Sequence, residues 1–204
     1  DASFRDERVI GPDGRSIALN DIAVHSDQPI ETHGSSGAGH VAWSYGAQAA
    51  HVAVDPRTGH VAVLDYVVVE DVGRAINPLI IHGQTLGAIV QGLGGLFLEH
   101  LQYDEAAQLL NASFADYMLP TASDYPRLRS VTLEQHPSPT NPLGAKGGSE
   151  GGNVSVAATV ANAIAAALQS MAVEPKDLPL SPPRLWALID DARAHAATTP
   201  RATV

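Results

Sequence analysis

The chain has 204 residues, 45% of them hydrophobic, which suffices for one domain, or one large piece of a bigger one, around a substantial core. Its 22 acidic residues against 12 basic ones give a net charge of −10, which argues against nucleic acid or an anionic membrane surface as a partner. With no cysteine, the chain itself can hold no disulfide, zinc-thiolate site, iron–sulfur cluster or thiol nucleophile.

The sequence opens at Asp1 with no methionine and no charged-then-apolar leader, so no signal peptide is visible; a processed or partial product and a cytoplasmic localisation are expected. Gly11-Pro12-Asp13-Gly14 marks a turn, and Ser16 to Ala23 has the length for about two helical turns. His25 to His40 is a loop containing Gly34-Ser35-Ser36-Gly37. The spacings of His25, His33 and His40 match no metal-ligand pattern, so no protein-held metal is expected. Val41 to Val54 and His60 to Val72 read as strands, and Asp55-Pro56-Arg57-Thr58-Gly59 between them is a turn, which predicts a β-hairpin.

Leu79 to Leu101 is the longest apolar stretch. Its His82, Gln84, Gln91, Glu99 and many glycines disfavour a bilayer span and favour a buried helix. At helical spacing Leu79, Leu86, Val90, Leu93 and Phe97 share one flank, and Gln84, Gly87, Gln91 and Gly95 share another. Each interior glycine costs roughly 1 kcal/mol relative to Ala, so the second face needs a reason, either close helix packing or a ligand. The amides of Gln84 and Gln91, which need partners for donors and acceptor alike, favour the ligand.

Gln102 to Met118 reads as a second hairpin turning at Asp104–Ala107, and Ser130 to Gln135 reads as a strand. Val154 to Met171 reads as one buried helix. Ser181-Pro182-Pro183 starts a last helix running to about His195, with Trp186 and Leu188 in the core. The expected fold class is α+β, hairpins plus buried helices, with one domain over residues 1–197 and a flexible tail over 198–204.

The chemistry is expected in Asn141-Pro142-Leu143-Gly144-Ala145-Lys146-Gly147-Gly148-Ser149-Glu150-Gly151-Gly152. Glycines let backbone N–H groups approach a ligand, and a following helix adds partial positive charge. Glu150 in such a loop either accepts N–H groups and becomes more acidic, or is desolvated by a ligand and becomes a better base. A plain turn with Glu150 as helix-dipole partner stands beside both. Lys146 precedes the main glycine cluster, so the phosphate-loop order fails. No base is placed beside Ser149, so a hydrolase grouping is not supported.

Val54 to Gly59 with Asp71-Val72-Gly73-Arg74-Ala75-Ile76-Asn77-Pro78, then His82-Gly83-Gln84 through Val90-Gln91-Gly92-Leu93-Gly94, then Lys146-Gly147-Gly148-Ser149-Glu150-Gly151, together resemble the molybdenum hydroxylase superfamily of xanthine dehydrogenase, aldehyde oxidase and carbon monoxide dehydrogenase. The likeness is to the C-terminal part of the molybdopterin-binding large subunit. It implies that Glu150 is the catalytic general base in hydroxylating an electrophilic carbon, of an N-heterocycle or aldehyde, with water as the oxygen source. It also implies that Gln84, Gln91, Lys146, Gly147, Gly148 and Ser149 bind molybdenum-molybdopterin, plain or in its cytosine dinucleotide form, with no metal ligand from the protein. The implied partners are the remaining part of the large subunit, an iron–sulfur subunit and a subunit carrying FAD. Many members have glycine immediately before the glutamate, where this chain has Ser149. A non-catalytic structural subunit of such a complex is the alternative.

Overall fold

The structure, a computed structural model, describes residues 2–29, 31–34, 41–125 and 127–198; His40, most of the Gly34–Gly37 loop and the tail beyond Thr198 lie outside them. The chain forms two compact units, Asp1–Ala38 and Gly39–Val204.

In the first unit, β1 (Ser3–Arg5), β2 (Arg8–Ile10) and β3 (Ser16–Ala18) make an antiparallel meander followed by α1 (Leu19–Val24). The expected Ser16–Ala23 helix therefore gives its first three residues to a strand. Ile17 pairs with Val9, and Arg8 Nε donates to Ser16 Oγ at 2.9 Å, so cross-strand contacts override local helix propensity.

The second unit is built on β4 (Tyr45–Asp55) and β5 (His60–Asp71), an antiparallel hairpin, with β6 (Leu128–Leu133) parallel to β5. The hairpin turns where expected: Asp55 Oδ1 accepts the Arg57 N–H at 2.9 Å, and Gly59 sits at φ +71°. α2 (Pro78–Phe97) begins the crossover to β6. It starts on an Asn77 side chain that accepts the Ile80 N–H at 3.2 Å, with Pro78 in the first turn.

The expected apolar flank of α2 holds at Leu93, which is buried, and at Leu86 and Phe97, which pack against the core, but not at Leu79, which is 80% exposed; the other buried side chains are Thr85, Ala88, Ile89 and Leu96. The helix packs on two sides, against β6 and against α3 (Gly151–Val154) and α4 (Val156–Ala167), which rotates the buried stripe onto small residues. Gly92 and Gly152 permit the approach: a Cβ on Gly92 would lie 2.7 Å from Val156 Cβ, and one on Gly152 2.5 Å from the Thr85 carbonyl. Gly87 and Gly95, on the amide-bearing face, have nothing near them. By length and composition alone α2 could cross a membrane, but its Ile89, Leu93 and Leu96 are packed in the core.

The second hairpin is reduced to its turn, at Asp104–Ala107 as expected, and a short pairing in which the Asp104 N–H donates to the Gln108 carbonyl at 3.0 Å and the Leu110 N–H to the Gln102 carbonyl at 2.8 Å. The Asp104 carboxylate accepts the Ala106 and Gln108 N–H groups at 2.9 and 2.8 Å, a side-chain turn that leaves one bridge, Tyr103 to Leu109. The long Val154–Met171 helix is broken at Ser155 and ends in a 3-10 turn over Gln169–Met171. α5 (Pro182–Thr198) buries Leu185 and Ile189, one turn apart, so Trp186, 42% exposed, and Leu188 fall outside the core they were expected to join.

Candidate active site

Alternation along β5 puts Tyr66, Val68 and Glu70 on one buried face. The register sets Gln48 of β4 opposite Val68 and Gly46 opposite Glu70, so all four residues share that face. They floor a cavity of about 440 Å³, within the size range of ligand sites. Trp43, Glu150 and Val154 also line it, and the Tyr45 backbone passes its edge while the ring turns to Lys146 and His136.

The loop carrying Glu150 is pinned from two directions. On its N-terminal side, the Lys146 N–H donates to the Val72 carbonyl at 2.8 Å, and the Asn141 side chain brackets Ala145, accepting its N–H at 3.1 Å and donating to its carbonyl at 2.8 Å. Gly73 must be glycine: it sits at φ +64°, and a Cβ there would overlap the Gly144 carbonyl. The Lys146 ammonium, 7% exposed, lies 3.0 Å from Asp71 Oδ1 and 4.4 Å from the Tyr45 ring centroid. Asp71, 2% exposed, also accepts the Gly73 N–H at 2.9 Å, and its other oxygen accepts the Gln135 and His136 N–H groups at 3.0 and 3.1 Å. Burial alone would push this carboxyl up. The Gly73 N–H, the Lys146 ammonium and the His136 side chain and N–H outweigh it and hold the group well below the usual carboxylate range.

On the C-terminal side, Gln48 Nε2 donates to the Gly151 and Gly152 carbonyls at 2.9 and 3.2 Å, and its oxygen accepts the Tyr66 hydroxyl. Burial pushes the Tyr66 phenol up to about 12, so it is present as a donor. Thr85 donates its hydroxyl to Glu70 Oε1. Glu70 Oε2 is buried with no partner among the described residues. A Cβ on Gly151 would overlap that oxygen, which is why the residue after Glu150 is glycine.

Of the residues expected in the site, Glu150, Gly147 and Ser149 line this cavity. Glu150 and Ser149 also join Gln91 around an adjoining one of about 240 Å³. Glu150 is exposed at the rim and caps no N–H of α3, so of its two expected settings the N–H-bound one is absent. Lys146 is turned inward to Asp71, because an ammonium so buried needs the carboxylate as its counter-charge. A Cβ on Gly148 would meet Val72 at 3.4 Å and Ile81 at 3.9 Å, so that glycine packs where the chain leaves β5 for α2. Gln84 is exposed on α2 and lines neither cavity.

The floor residues Gln48 and Glu70, and Tyr66 and Thr85 that hydrogen-bond to them, were not anticipated. The one sequence signal was Glu70-Asp71 closing a valine-rich strand, since acidic residues are rarely buried unless paired.

A family model described as a molybdopterin cofactor-binding domain matches residues 1–126, ending before the Lys146–Gly152 loop. The 6-hydroxypseudooxynicotine dehydrogenase complex subunit gamma of Paenarthrobacter nicotinovorans is 38% identical over 144 residues, 71% of this chain and 18% of that protein. The carbon monoxide dehydrogenase large chain of Hydrogenophaga pseudoflava is 32% identical over 144 residues, again 71% and 18%. Among solved structures, Cu,Mo-CO dehydrogenase in its carbon monoxide reduced state superposes with a TM-score of 0.79 at 25% identity, over 96% of this chain and 26% of that one. Quinoline 2-oxidoreductase from Pseudomonas putida 86 superposes with a TM-score of 0.76 at 30% identity, over 94% and 26%. The chain thus spans under a fifth of the length of these curated relatives.

Proposed function

Because the chain belongs to the molybdopterin cofactor-binding family of molybdenum hydroxylase large subunits, we propose that it supplies the general base, Glu150, of an oxidoreductase that hydroxylates an electrophilic carbon of an N-heterocycle or aldehyde with water as the oxygen source. The observation that carries this is the position of Glu150, at the rim shared by two adjoining cavities, with its carboxylate unused by α3. A carboxylate free of internal donors is available to take a proton, and it becomes a stronger base once a ligand displaces water around it.

The residues present fit a pterin. An open approach at Gly147, where a Cβ would meet nothing within 4 Å, leaves backbone N–H within a ligand's reach. The Trp43 and Val154 lining and the Glu70 oxygen without a partner among the described residues would suit a planar, donor-bearing ring. When bound, the molybdenum held by the pterin supplies the redox chemistry. This chain would grip the group through Gln91, Gly147 and Ser149. Gln84, two turns before Gln91 on the same face of α2, would join them if the ligand runs along the helix, as a dinucleotide form would. Lys146 and Gly148 act on the loop's placement instead.

The remaining part of the large subunit, an iron–sulfur subunit and an FAD subunit are the proposed partners. Large exposed apolar side chains of the second unit, Leu79, Phe114 and Val154 among them, support a covering polypeptide.

In the assembled enzyme, Glu150→Gln should lower kcat by about 10²–10⁴-fold with molybdenum content retained, as read by elemental analysis. Unchanged turnover would leave the chain a purely structural subunit.

A further inference from the structure

Thr85 ties one oxygen of Glu70, and the other, Oε2, is buried without a hydrogen-bond partner among the described residues in a side chain only 3% exposed. Buried polar atoms are almost always partnered, and an orphan beside a cavity points to a missing ligand group. The orphan is held in place: Thr85 fixes the carboxylate from one side, and Gly151, by lacking a Cβ, leaves it room on the other. Trp43, Val68 and Val154 give the same cavity apolar and aromatic walls, which suit the faces of a flat ring.

We propose that Glu70 is a recognition residue of the Glu150 cavity, its Oε2 accepting a hydrogen bond from an N–H of a planar heterocycle bound there. This deepens the function proposed above and rests on it. A ligand without the N–H leaves the acceptor unpaired in a dry site, and such sites reject the analogue strongly. Two sources carry the same donor chemistry, the pterin and an N-heterocyclic substrate, and they are separable.

The assembled enzyme is purified as wild type, Glu70→Gln and Glu70→Leu. Molybdenum and pterin content are measured, and calorimetry gives dissociation constants for 2-pyridone and N-methyl-2-pyridone, one ring with and without its N–H. If the substrate is the donor, wild type prefers 2-pyridone by at least about tenfold. In that case both variants keep their cofactor, and Glu70→Leu, which retains the side-chain bulk, loses most of the preference. If the pterin is the donor, wild type shows no preference, and Glu70→Leu loses most of its molybdenum and pterin while Glu70→Gln, still offering an oxygen, keeps more. Cofactor content and probe preference both unaltered by either substitution would overturn the proposal. Absence of molybdenum and pterin from the wild-type assembly would instead overturn the function on which it rests.

Discussion

Asp71 and Glu70 are consecutive, both buried, and leave β5 toward opposite faces, yet their surroundings differ in kind. Around Asp71 every oxygen is occupied, by the Gly73, Gln135 and His136 N–H groups and the Lys146 ammonium. Around Glu70, among the described residues, one oxygen has only Thr85 and the other has no partner. A saturated carboxylate has no capacity left for a ligand, so it can only hold structure together. An unsaturated one in the wall of a cavity is unfinished until something binds. The Glu150 loop lies between them, fastened to the Asp71 side through Lys146 and to the Glu70 side through Gln48, so that the difference lies in the two carboxylates and not in the loop's anchoring.

The sharpest way to break that contrast is Lys146→Met, which removes the cation and leaves the buried Asp71 carboxylate without its counter-charge. This substitution should cost more stability than any other in the loop or its floor, seen as a lower denaturant midpoint by circular dichroism, together with at least about a tenfold drop in turnover as the loop comes loose. An unchanged midpoint would mean that the pairing around Asp71 is ornamental.

Acid probes the same side more gently. The folded pKa of Asp71 lies below its ordinary value of 3.8, so its contribution to stability is fully present above that value and is lost as pH falls toward the depressed one. Wild type should therefore show no loss from this group between pH 7 and about 5, with the decline setting in below. In Lys146→Met, stripped of one of the influences that lower the pKa, the decline should begin at higher pH. Denaturant midpoints measured across that range for both proteins decide it.

On the Glu70 side, Gly152→Ala drives a Cβ to 2.5 Å from the Thr85 carbonyl and 3.0 Å from Ala88 Cβ. Overpacking of that kind costs about 1–3 kcal/mol, measurable by denaturant titration. A neutral result would show that α2 and α3 can part without cost, and with it that the Thr85–Glu70 floor is not rigid.

What was legible in the sequence follows the same division. The β4–β5 hairpin was readable because its turn chemistry is local: Asp55, Arg57 and Gly59 settle it among themselves. The Glu150 loop was readable because its glycines are contiguous. The buried face of α2 was readable only in part, since the rest depends on Val156 and Gly152, which lie far along the chain. For Lys146 the sequence left open a ligand contact or a carboxylate pair, because the carboxylate it meets, Asp71, is 75 residues away. Glu70 was only hinted at, by the acidic pair closing a valine-rich strand, because what distinguishes it is an oxygen without a partner among the described residues, and no residue pattern encodes an absence.

The smallest effects separate Gln91 from Gln84. Sequence spacing makes them equivalent, two turns apart on one face, but only Gln91 shares a cavity with Glu150. Both side chains are exposed, so either change to alanine should move stability by no more than about 0.5 kcal/mol. Molybdenum content of the assembled enzyme should fall further for Gln91→Ala than for Gln84→Ala. Equal losses would mean that the bound group extends along α2 over both amides, as a dinucleotide form of the cofactor requires, and the site would then reach well beyond the Glu70 cavity.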